Sequence, residues 1–269
     1  MGTDGAKEQL EALYSKYNRR EHVHPDPLEM VYHYDGSADR EVAGMVAAGL
    51  AYGRVNQILA SVRSALDRLG GSPAACVDSA SAADLAARFE GFRHRFTGGD
   101  ELAAMLAAVG RLRRRYGSLE VCFAAGADGD GETVRGALGF FVAELVRAAG
   151  RPLLHLVPAP ERGSACKRLN LFLRWMVRRD AVDPGGWTSV SPARLIVPLD
   201  THMHRVGLGL GWTGRRSADL RAALEITAGF RAICPTDPVR YDFALTRLGM
   251  RGGDRLARFV HRLATALPG

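Results

Sequence analysis

Apolar residues recur at three- and four-residue spacing along almost the whole of this chain, and runs of β-branched residues are few. That period lays one apolar face along a helix, whereas a half-buried strand needs strict alternation. A chain patterned in this way is confined to helix packed on helix, and the fold class it predicts is all-α. One stripe, Val42, Met45, Val46 and Leu50, starts from Asp39; it is interrupted at Gly53 and resumes through Val55, Ile58, Leu59, Val62 and Leu66 to Gly70-Gly71. Ser81 with Asp84 reads as a capping box opening a short helix that ends near Phe89. Further helices are predicted at Gly99 to Tyr116, Glu132 to Ala149, Ser164 to Arg179, Thr201 to Gly211, Ser217 to Gly229, Asp237 to Gly249 and Gly253 to Ala266. Asp237-Pro238 supplies an N-cap acceptor and a proline at the first helical position, and Gly249 a stop. The glycine-rich turn from Gly126 to Gly131 joins two helices, and Trp187 in the irregular segment 183–198 either stacks on a base or, the commoner use of a loop tryptophan, packs its loop onto the body.

At 269 residues the chain has material for one large domain or two lobes, and 47% hydrophobic with 24% charged residues is a globular balance. The four cysteines are scattered with no CxxC spacing, so neither a zinc site nor an iron–sulfur ligand set is written here, and no metal or cofactor is expected. No stretch has the apolar length of a membrane span and the N-terminus is polar, so the expectation is a cytoplasmic protein with no membrane partner. The net charge of +7 suits a polyanionic partner.

Only three of the thirty-six basic side chains are lysine. Lys7 and Lys16 lie in a polar first helix, where any cation would serve. Lys167 sits mid-chain in Gly163-Ser164-Ala165-Cys166-Lys167-Arg168-Leu169, at the mouth of an apolar helix. A guanidinium stays protonated, whereas an ammonium can lose its proton and become a nucleophile. In a chain so biased toward arginine, Lys167 is a candidate nucleophile or an ordinary surface lysine. Downstream, Asp200 follows Pro198-Leu199 and precedes a helical stretch, so its carboxylate reads as an N-cap that could also act on a nearby amine. Thr201 and His202 would fill that helix's first turn, with Arg205 one turn on. Cys166 reads as a small residue packed at a helix start.

The string Pro198-Leu199-Asp200-Thr201-His202-Met203-His204-Arg205-Val206, ending in Leu208-Gly209-Leu210-Gly211, resembles the catalytic-aspartate segment of the helix-hairpin-helix DNA glycosylases. The resemblance extends over Asp39 to Ile58, where Tyr52-Gly53-Arg54-Val55-Asn56-Gln57 is similar to a strand-contacting helix of that fold. Asp237-Pro238-Val239-Arg240-Tyr241-Asp242-Phe243-Ala244 looks like the tail of a bacterial family described only as of unknown function. Two departures stand out. The Leu-Pro-Gly-x-Gly hairpin before the lysine is absent, the turn here being Pro158-Ala159-Pro160-Glu161-Arg162-Gly163, and the Lys-to-Asp interval is long. Both are similar to the archaeal 8-oxoguanine glycosylase branch.

The resemblance implies a two-lobed helical unit: a barrel over about residues 38–165, and a second lobe joining 1–37 to 166–269. It implies a monomeric, nucleoid-associated enzyme of base-excision repair acting on double-stranded DNA that carries a damaged base, first of all 8-oxoguanine. Lys167 would be the Schiff-base nucleophile and Asp200 its partner. Asp242 and Gln57 would read the base edge, with Phe172 or Trp175 stacking on it, although Leu169, Phe172 and Met176 also form a core stripe. Gly163, Ser164, Arg168, Arg174, His202 and Arg205 would hold phosphates, and Arg178 and Arg179 lie close in sequence; a solvated helix face is the other reading of these arginines. Two further readings stand beside this one. The chain is a monofunctional glycosylase in which Asp200 activates water and Lys167 touches phosphate, or an inactive DNA-binding module of the same fold.

Overall fold

The computed structural model describes residues 4–127, 131–153, 155–250 and 252–267. Helix dominates it: among the described residues the strands are two antiparallel dipeptides, β1 (Arg93–His94) and β2 (Thr97–Gly98). The class is all-α.

The first group of helices is α2 (Ser37–Gly49), α3 (Val55–Leu69), α4 (Pro73–Ser79), α5 (Ala82–Arg88), α6 (Gly99–Tyr116), α7 (Leu119–Ala124) and α8 (Arg135–Ala149). They gather around α6, which touches α4, α5, α7 and α8. The reason is local: Leu102, Met105, Leu106, Val109 and Leu112 put a wide apolar band along α6, buried throughout. The expected capping box is present at α5, where Ser81 and Asp84 satisfy each other's backbone N–H groups. The turn expected at Gly126 to Gly131 falls in part, at 128–130, outside the described residues.

The second group is α1 (Asp4–Tyr17), α10 (Thr201–Gly209), α11 (Leu220–Ile233), α12 (Asp242–Met250) and α13 (Gly253–Ala266), with α1 packing on α11, α12 and α13. Between the groups lies α9 (Lys167–Val177), whose Phe172 and Met176 pack on α2 at Gly44. A Cβ at Gly44 would stand 3.2 Å from both side chains, so the absence of one lets the helices lie this close. The packing thus departs from the expected boundary in two places: α9 rests on the first group, and so does the 3-10 segment Pro27–His33, which packs on α2 and α3.

Several helix starts also moved inward. Asp237 does not cap a helix; its carboxylate accepts from Arg178 Nε at 2.9 and 3.1 Å, and α12 begins only at Asp242. The helix expected from Ser217 starts at Leu220, because Asp219 is the side chain that caps it. The helix expected from Ser164 starts at Lys167, since Ser164 bridges to Asp219 and Cys166 takes a left-handed conformation. Trp187 packs its loop onto the body as expected, with Nε1 donating to Glu41 at 2.9 Å and its ring against Phe123 and Phe172.

Candidate functional site

Asp200 is the N-cap of α10. Its two oxygens divide their work. Oδ1 accepts from the His202 and Met203 backbone N–H groups at 2.9 and 2.8 Å, the standard use of an aspartate at a helix start. Oδ2 is left facing Lys167, whose Nζ lies 4.0 Å away. The cap fixes the carboxylate's orientation, so the face toward the lysine is set by backbone rather than by a flexible rotamer.

Lys167 is the first residue of α9, and its side chain is 39% exposed, against 18% for Asp200. The expected turn before it is a single 3-10 turn, Pro160–Arg162, closed by Gly163 at φ 79°, with the Gly163 N–H on the Pro160 carbonyl at 2.9 Å. The Gly163 carbonyl takes the Leu220 N–H, which ties this turn to the start of α11. Cys166 then stands at φ 48° with Sγ on the Pro158 carbonyl at 3.2 Å, and burial pushes its thiol up to about 11. A non-glycine residue in that region is strained and persists only where its surroundings hold it. Here the buried sulfur contact does so, and the result is a lysine presented at the helix mouth.

Two cavities meet at the Lys167–Asp200 pair. An open cleft of about 840 Å³ is lined by Tyr52, Gly53, Gly163, Ser164, Arg168 and Thr201 among others. A narrower recess of about 240 Å³ runs behind the pair, with Leu171, Arg174, Asp242, Phe243, Thr246 and Met250 around it. Lys167, Asp200 and His202 border both. The recess is below the size of drug-binding pockets and of the scale of one heterocycle. Lys167, Leu171 and Arg174 line it because they fall at i, i+4 and i+7 of α9, the face opposite the core stripe.

Asp242 lies deep in the recess, buried, with Oδ2 on Arg174 Nη1 at 2.5 Å. Burial pushes its carboxyl up to about 6 against the pull of Arg174, and the negative charge of Asp200 adds to the rise. Arg174 is therefore no phosphate ligand. It is buried between Asp242 and Asp183, the latter accepting from its Nε at 3.1 Å. Arg178 is likewise buried, on Asp180, Asp183 and Asp237, while Arg179 has the exposed position of a solvated face. Buried charges are tolerated only when paired and hydrogen-bonded, and these two arginines bind α9 to the start of α12 through that network.

The remaining expectations sort by position. Arg168 lines the cleft, but it is drawn to the Gly49 carbonyl at 2.7 Å and over the Tyr52 ring at 4.9 Å, at the C-terminal end of α2 where a cation is favoured. Desolvation lowers its pKa. His202 borders both cavities, with its Nδ1 buried and unpartnered among the described residues. Arg205 is exposed and lines neither cavity, as does Gln57, so neither meets a base or phosphate held there. Phe172 and Trp175 are fully buried in the core, away from both cavities, so neither is placed to stack on a ligand.

One feature of the cleft rim is invisible in the periodicity. β1 and β2 form a hairpin whose tip is Arg95-Phe96, with Arg95 at φ 52° and Phe96 68% exposed. Tyr52, on the cleft wall, holds the hairpin: its hydroxyl meets the His94 carbonyl and Thr97 Oγ1, each at 2.8 Å. His94 answers with Nε2 on the Tyr52 carbonyl at 3.0 Å and Nδ1 on Ser61 at 2.9 Å. The Arg95 side chain crosses Gly53, where a Cβ would come within 2.7 Å of it. An aromatic ring is thus kept in solvent on a fastened two-residue turn beside the cleft.

The family described as protein of unknown function (DUF2400) matches residues 26–251. This chain belongs to that family. The matched span takes in Lys167, Asp200, Asp242 and the hairpin. No curated protein and no solved structure matches the chain. Among the described residues there is no group of His, Cys, Asp and Glu able to hold a metal ion, and no helix long and apolar enough to cross a membrane. The four cysteines are free.

Proposed function

We propose that this chain is a helix-hairpin-helix-type DNA glycosylase with associated AP lyase activity, excising an oxidised purine, in the first place 8-oxoguanine, through a Lys167 Schiff base. The observation that carries the reading is the Lys167–Asp200 pair, 4.0 Å apart where an open cleft narrows into a one-base recess. An enzyme that acts on a base must take it out of the stack and into a pocket.

In this reading the duplex lies over the cleft and the target base enters the recess. The Lys167 amine attacks C1′; the bond from C1′ to the base nitrogen breaks, and the base leaves with a proton. Ring opening, in which O4′ takes a proton, gives an imine between Nζ and C1′. Loss of a proton from C2′ then forms the C2′–C3′ double bond and breaks the bond from C3′ to its phosphate oxygen, which leaves as phosphate. Asp200 Oδ2, the oxygen not used in capping, takes the proton from the attacking amine and offsets positive charge on the sugar as the base departs. Asp242 keeps Oδ1 for an N–H of the purine edge while Oδ2 stays on Arg174. Gly163 and Ser164 remain at the cleft for a backbone phosphate, and Phe96, exposed on the hairpin that Tyr52 fastens to the cleft wall, would stack on the bases left behind by the flipped one.

The 4.0 Å gap also admits a water between amine and carboxylate, which favours the monofunctional alternative, with Asp200 activating that water. A panel of duplexes carrying single lesions, scored separately for base release and strand cleavage, tests both. Release and cleavage together from 8-oxoguanine support the lysine route. Release without cleavage supports the water route, and release of oxidised pyrimidines, uracil or alkylated bases alone overturns the purine assignment.

A further inference from the structure

A separate cavity of about 540 Å³ lies between α1 and α13, away from the cleft and the recess, with Lys16, Arg255, Arg258 and Arg262 on its walls. All four are exposed, and none has a carboxylate within ion-pair distance among the described residues. Other exposed arginines, Arg54, Arg63, Arg205 and Arg221 among them, also lack a carboxylate partner among the described residues, so it is the grouping of four cations along one groove that sets this place apart. Arg255, Arg258 and Arg262 fall at i, i+3 and i+7 of α13 and so share one face, while Leu256, Phe259, Val260 and Leu263 bury the other. Arg255 also stands in the first turn of α13, where the helix dipole disfavours a cation. Lys16 lies over the Tyr17 ring at 5.5 Å and Arg262 over the Phe259 ring at 5.7 Å, so the row rests in part on aromatic faces with no carboxylate to neutralise it, and an anionic partner would stabilise it.

We propose that this groove is a second contact for the phosphodiester backbone of duplex DNA, flanking the recess; the proposal rests on the glycosylase reading. Helix α12 connects the two places. Its Thr246 and Met250 line the recess, whereas Leu248, two residues from each and so on the opposite side of the helix, lines the groove. The groove and the recess are thus separated by about one helix diameter, roughly 10 Å. Along α13, seven residues from Arg255 to Arg262 span about 10 Å, and one strand of a duplex passes about three phosphates in that distance. A lipid surface fits less well, because a membrane-binding helix needs exposed apolar side chains and those of α13 are buried in the core.

The test compares the unmodified protein with the double variant Arg258→Ala/Arg262→Ala, and separately with Lys16→Ala, in binding a duplex of about 30 base pairs over a series of salt concentrations. Each phosphate contact contributes about 0.9 to the slope of log K against log salt, so the double variant should lose close to 2 units of slope and Lys16→Ala close to 1. Equal slopes on the long duplex overturn the groove, and so does a loss confined to phosphatidylserine vesicles, with DNA binding untouched. Base release by the unmodified protein is scored in parallel. No release alongside a clear slope difference removes the glycosylase reading and leaves a DNA-binding groove; release with equal slopes does the reverse.

Discussion

Asp242 is held in a costly state. Its folded-state pKa of about 6 lies above the ordinary 3.8, because burial outweighs Arg174. A carboxylic acid whose pKa is raised by folding binds more protons native than unfolded, so its contribution to stability falls as pH rises from about 4 to about 6. The molecule keeps this carboxylate ionised at neutral pH against that gradient, as expected of a group with a task. Only the ionised form accepts an N–H at both oxygens. Base release from 8-oxoguanine should therefore fall as pH drops through about 6, and Asp242→Asn should be slow at every pH and lack that limb, while still binding abasic DNA. Arg174 belongs to the same cluster but to the scaffold. Arg174→Ala leaves Asp183 and Asp242 buried without their cation, a loss on the order of 3–5 kcal/mol that a thermal melt would register as a fall of roughly 10 °C. The cap at Asp200 was legible in the chain because its signal is local, a carboxylate just before a helical stripe. The burial of Arg174 and Arg178 was not, since Asp242 and Asp237 lie 68 and 59 residues from them.

Among the elements, the helix from Gly99 to Tyr116 was legible at both ends, its acids in the first turn and its arginines in the last agreeing with the dipole. The start of α12 was misplaced because Asp237 is drawn to Arg178, a partner 59 residues away that leaves no local signal, and the helix begins at Asp242. The β1–β2 hairpin escaped sequence reading altogether, since two dipeptides are too short to show alternation and its tip is an arginine rather than the glycine or asparagine such turns prefer. Its left-handed arginine and exposed Phe96 are the kind of departure from local preference that collects at functional sites. Phe96→Ala should lower base release from duplex DNA roughly ten-fold, in keeping with a stacking contact of about 1–3 kcal/mol. The loss should shrink on a substrate already unpaired at the lesion. Equal losses on both substrates would remove Phe96 from any role in holding the gap.

For the whole molecule, the apolar period was enough to read an all-α architecture, because helix-on-helix packing follows from it alone. How α9 and the Pro27–His33 segment would be shared between the two groups was not legible, since it depends on which buried faces match at Gly44. The net charge of +7 bears on association, and the salt dependence of duplex binding should be steep. Affinity that stayed flat between low and moderate salt would count against any nucleic-acid role. The most direct test of the central claim lies at Lys167. Borohydride added during turnover on an 8-oxoguanine duplex should reduce the imine and join protein to DNA covalently. Lys167→Arg should abolish that adduct while preserving charge and binding, because a guanidinium stays protonated and cannot attack C1′. A Lys167→Arg protein that still traps on DNA, or cleaves as fast as the unmodified one, would place the nucleophile elsewhere and contradict the account.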